Sequence, residues 1–117
     1  MGQIPERDWK VLRRIREDAL YRFCVRKNNG VCDFVSDADI HGEAYNAFLA
    51  ICRYVATQNR ELGDLFDDWR RSTAIRTLKL WAEAGIITQE EFAAFSEDTK
   101  ELIRSMGEVK FYDDGKA

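Results

Sequence analysis

Apolar positions recur along this chain at three- and four-residue steps, and no stretch alternates with period two. That pattern predicts helices and no strands. Leu62, Leu65, Phe66, Trp69, Thr73 and Leu80 fall on one stripe and predict a long central helix over 62–83. Ala84-Gly85 is its stop, because glycine accepts the left-handed conformation that closes a helix. Thr88 and Glu91 then have capping-box spacing. The hydroxyl can accept from the third helical amide while the carboxylate reaches back to the cap's own amide.

Upstream, Trp9, Leu12, Ile15, Ala19, Leu20, Phe23 and Cys24 share a stripe in which Arg16 is the polar member. Pro5 suits the first turn of that helix. Asn28-Asn29-Gly30 is a turn signal. Val31, Phe34 and Val35 nevertheless keep the phase, so one helix over about 6–35 is expected, with Gly30 as the place for a bend. Ser36-Asp37-Ala38-Asp39 breaks it and caps a second helix over about 41–59. In that helix Ala44, Tyr45, Phe48, Leu49, Ile51, Cys52 and Val55 make a broad apolar face. Residues 58–60 read as a short connection or kink. Ser96 caps a last helix carrying Leu102, Ile103 and Met106, which Gly107 ends. The fold class that follows is all-α: an antiparallel bundle of four to five helices with a long central helix and a capped C-terminal helical hairpin. Residues 1–107 form the single domain, and 108–117, without period, read as a flexible tail.

Composition agrees with a folded chain. Of 117 residues, 45% are hydrophobic and one is proline, unlike a disordered segment. No apolar run approaches the ~20 residues that cross a bilayer. There is no apolar leader in the first ten residues, and Cys24, Cys32 and Cys52 are odd in number. A cytoplasmic protein with reduced, buried thiols is therefore expected. The net charge of −3 is uneven. Residues 7–27 hold eight basic against three acidic side chains, while 28–117 hold ten against seventeen. The plain reading is a basic first helix lying against acidic neighbours.

Little points to chemistry. Cys24, Cys32, His41 and Cys52 are metal-binding types, but on a continuous helix Cys24 and Cys32 are about 12 Å apart and cannot share one zinc. His41-Gly42-Glu43 lacks the Pro-Cys-x-x-Cys partner of a zinc deaminase. No glycine-rich phosphate loop, nucleophile elbow or Glu-x-x-His pair is present. Asp67 and Arg71 have the spacing of a surface ion pair on one helix. Residues 85–92 resemble the second half of an EF-hand loop. Leu80, Ala82 and Ala84 would then occupy ligand positions, and none has a side-chain oxygen, so no calcium is expected. The same stretch is similar to the turn of many short helical hairpins. No enzyme, cofactor or metal is expected.

Two surfaces compete for a binding role. Ile75, Leu78 and Trp81 lie nearly opposite the main stripe of the central helix, giving it two apolar faces. They are the expected site for self-association or a protein partner, with Trp81 as anchor. The alternative is a nucleic-acid regulator using Lys10, Arg14 and Tyr21 on the outer face of the first helix, against which the acidic domain and the interrupting Glu17-Asp18 count. No membrane contact is expected.

Overall fold

A computed structural model describes residues 4–113, and all regular structure among them is helical. The order is α1 (Glu6–Asp37), α2 (Ala44–Phe66), a single 3₁₀ turn (Arg71–Thr73), α3 (Ala74–Ala84), α4 (Gln89–Ala93) and α5 (Glu97–Met106).

α1 is one uninterrupted helix of 32 residues, about 48 Å at ~1.5 Å each. The kept phase of Val31, Phe34 and Val35 outweighs the turn signal at Asn28-Asn29-Gly30. Gly30 has another use. A Cβ there would stand 2.8 Å from the Tyr54 hydroxyl. Its absence lets Tyr54 lie against α1 and stack on Phe34, with centroids 4.5 Å apart. α2 runs antiparallel to α1 and does not stop at 58–60. It continues to Phe66, because Leu62, Leu65 and Phe66 extend the same apolar side into the core.

The long helix expected over 62–83 is two elements. It breaks at 67–70, where Arg70 is extended and its guanidinium folds back on Asp68 (Nε–Oδ1 2.7 Å). Arg71 does not pair with Asp67. It donates to the Ile4 carbonyl at 3.2 and 3.1 Å and pairs with Glu6. These contacts draw the break onto the start of α1 and turn α3 back against α2. Trp81 Nε1 then donates to Leu65 O at 2.9 Å. A ladder of rings results: Trp9–Trp69 at 5.0 Å, Trp69–Trp81 at 5.9 Å, Trp81–Phe66 at 5.2 Å and Phe66–Phe23 at 6.0 Å.

Gly85 closes α3 with φ +68°, and both halves of the Thr88–Glu91 capping box are made. Ser96 caps α5 by accepting from Thr99 N. Asp8 is fully buried in α1 beneath that cap. It accepts from the Ser96 amide (2.8 Å), the Ser96 hydroxyl (2.7 Å) and the Thr99 hydroxyl (2.6 Å). Within the stretch expected as a tail, Lys110 N donates to Ala82 O and Tyr112 N to Ile87 O. Phe111 meets Phe92 at 5.7 Å. Residues 114–117 lie outside the described residues.

A Gly85→Ala variant forces an L side chain into the left-handed region, a cost of about 1–2 kcal/mol. Its expected thermal midpoint is about 5 °C below that of the wild type.

Candidate interaction surface

The core occupies one end of the molecule. Leu12, Ile15, Ala19 and Phe23 of α1 meet Phe66, Leu78, Trp81 and Ala82, with Ile86, Phe92, Phe95 and Ile103 closing the far side. Beyond this body the second half of α1 and most of α2 project as a two-helix arm. Among the described residues from 24 to 65, Ala47 alone is buried. The radius of gyration is 17.1 Å, against about 13 Å for a compact domain of this length.

Arginines of α1 fasten the body together. Arg7 donates to Ala94 O and Arg16 to Phe66 O. Arg22 donates to Ile86 O and to both oxygens of Glu91. Arg26 donates to Ala84 O and Gly85 O. The carbonyls that a helix leaves unpaired at its C-terminal end are thus met by cations, which the helix dipole also favours. Glu91 in turn holds the Arg22 guanidinium above its ordinary pKa. Much of the basic excess in 7–27 is therefore internal stapling.

The expected partner face is closed by its own chain. Leu78 and Trp81 have no exposure, and Ile75 is half-buried against the core. Trp81 is enclosed on that side of α3 by Phe66, Trp69 and Leu65 of the same chain, so no apolar patch is offered there. Of the alternative set, Lys10, Arg14 and Tyr21 are exposed on α1. Glu17 and Asp18, both exposed, lie between them. The cysteines are not buried thiols: Cys24 is half-buried, and Cys32 and Cys52 are exposed. Among the described residues no group of three His, Cys, Asp or Glu side chains could hold a metal. No helix there is long and apolar enough to cross a membrane.

Most of the exposed large apolar side chains lie on the arm, with Tyr21 and Phe111 outside it. Tyr45 is 74% exposed, Phe48 64% and Val55 43%, and Cys52 is exposed with them. Their spacing is three, four, three, which is the heptad spacing of a helix seam. α2 reaches α1 through a different side, where Ala47 is buried and Tyr54 stacks on Phe34. It therefore carries two seams, one of them filled. Beside Val55 runs a groove of about 180 Å³ between the helices, lined by Cys24, Asn28, Val31 and Leu62 among others. Lys27 borders it and pairs with Glu61.

The sequence placed these four residues on one broad apolar face of the second helix and did not mark them as exposed. No family model, no curated protein and no solved structure matches the chain.

Proposed function

We propose that this chain is a helical protein-interaction module and that it works through the open seam of the α1–α2 arm. The observation that carries the reading is the exposed Tyr45–Phe48–Cys52–Val55 stripe on a helix whose other seam is already packed. Scattered exposed apolar residues are ordinary, but large ones aligned along a helix usually meet a partner. Covering one such side chain fully is worth about 1.5–3 kcal/mol. The arm itself buries too little to use that surface internally.

The test is a photo-crosslinking residue placed at Phe48 in cells that express the chain, with the same residue at Lys10 as a control. A discrete protein adduct from position 48, absent from position 10, is expected. No adduct at 48, or the same adducts from both positions, would remove the arm as the working surface.

A further inference from the structure

We propose that residues 108–113 are a releasable strap, and that they occupy in cis a docking groove for an extended peptide with two adjacent aromatic residues. The groove lies on the body and is independent of the arm. Lys110 N donates to Ala82 O at 2.9 Å and Tyr112 N to Ile87 O at 2.7 Å. Donors two residues apart point the same way along an extended chain, which is how a peptide docks through its backbone. Ala82 O is among the last carbonyls of α3, which have no partner within the helix, and Ile87 lies in the turn before α4. Any extended backbone can supply the donors they need. The side chains add two ring contacts. Phe111 meets Phe92 at 5.7 Å, and the Arg22 guanidinium stands 5.1 Å from the centre of the Tyr112 ring. Gly85 keeps the floor low: a Cβ there would be 3.4 Å from Lys110 Cβ.

The strap is held more lightly than what it covers. Ile87 and Phe92 are buried, but Lys110 is exposed and Phe111 is 40% exposed. Phe111 also borders an open cavity of about 350 Å³ with Phe92, Lys100, Arg104 and Val109, so the groove is wider than its occupant. Few hydrogen bonds and partly covered rings mark a segment that opens before the body does. Gly107 joins it to α5 at φ +156°, a conformation that glycine reaches without steric cost, and serves as the hinge. With the strap lifted, Ala82 O and Ile87 O lose their donors and Phe92 loses a neighbour. A second segment with the same donors and rings restores all three. The seated strap thus specifies its own competitor. A competitor's apparent affinity falls by the fraction of chains whose strap is open, which makes the strap an autoinhibitory contact.

The test is a labelled peptide of residues 108–113, Glu-Val-Lys-Phe-Tyr-Asp, titrated into the full chain with anisotropy as readout. Tyr112→Ala removes the ring over Arg22 and raises the open fraction. The peptide should bind that chain about tenfold more tightly than the wild type. Phe111→Ala, at the more exposed ring, is a second weakened chain with the same expectation. A peptide with both aromatic residues replaced by alanine should bind neither. Amide exchange in the wild type is the independent readout. Lys110 and Tyr112 should exchange at least about tenfold faster than Ile86, whose amide is bonded to Trp81 O, at urea levels where the body stays folded.

Equal affinity for the wild type and both variants would place the peptide outside the groove and overturn the docking site. So would no binding to the Phe111→Ala chain when its melting shows it folded. Exchange of Lys110 and Tyr112 at the rate of Ile86 would mean that the strap opens only with the body, and would overturn its release.

Discussion

Trp81→Ala should lower the stability of this protein by about 4 kcal/mol, the range for removing a buried large aromatic side chain. The ring has no exposure and lies between Trp69 and Phe66 in the ring ladder. Its removal leaves a cavity where α1, α2 and α3 meet. It also takes the donor from Leu65 O, which Trp81 Nε1 reaches at 2.9 Å. Domains of this size are stable by roughly 5–15 kcal/mol, so the loss is a large share of the total. Urea unfolding checks it: the midpoint should fall sharply while the slope stays near the wild-type value. Trp81→Phe keeps a ring and loses the hydrogen bond, so it should cost about 1–2 kcal/mol. Equal losses for both variants would mean that ring packing contributes little.

Asp8→Asn is the second large effect, and it depends on pH. Burial pushes the Asp8 carboxyl up. The hydrogen bonds from the Thr99 hydroxyl, the Ser96 hydroxyl and the Ser96 amide, with Arg7 nearby, outweigh burial and hold it below the ordinary 3.8. A carboxyl whose folded pKa is depressed adds stability that is complete above its unfolded pKa. That stability is lost as pH falls through the folded value. The wild type should therefore hold its Asp8 contribution at pH 5–7 and lose it below about pH 4. At neutral pH the Asp8→Asn chain should be less stable by about 2–3 kcal/mol, the scale of hydrogen bonds to a charged acceptor. The gap between the two chains should narrow as the pH is lowered to about 3. A constant gap across that range would mean that the cost is steric and not the charge on Asp8. The variant also separates the arm's test from the body: loosening α5 should leave the arm's seam unchanged.

Local features were legible in the sequence, and features that depend on distant chain were not. Gly85, the Thr88–Glu91 box and the Ser96 cap involve residues within three or four positions, and the structure contains all of them. The unbroken α1 followed from phase alone. The break at 67–70 did not. Both sides of it are helical in period, and Asp67 and Arg71 fit a continuous helix well. The break is held by Arg71 reaching Ile4 and Glu6, more than sixty residues away in the chain. Ile75, Leu78 and Trp81 carry a similar lesson. Periodicity showed that this helix has two apolar faces, but not that Phe66, Trp69 and Leu65 would enclose Trp81 on the second. The basic first helix suggested a surface for an outside acid. Which carbonyls lie beside Arg7, Arg16, Arg22 and Arg26 is a tertiary fact.

The staples between the ends of the chain also bear on how the protein is made. Asp8 waits for Ser96 and Thr99, Arg7 for Ala94, and Arg22 for Glu91. The arm, by contrast, closes between neighbours in sequence, as in Phe34 on Tyr54. On a ribosome adding about 5–20 residues per second, the hairpin can zip early. The apolar stripe Leu12, Ile15 and Phe23 then stays uncovered for roughly 2–8 s, until the last helix has emerged. The nascent chain thus has a formed arm and an unformed body, and it is the body's half of α1 that a chaperone would have to shield.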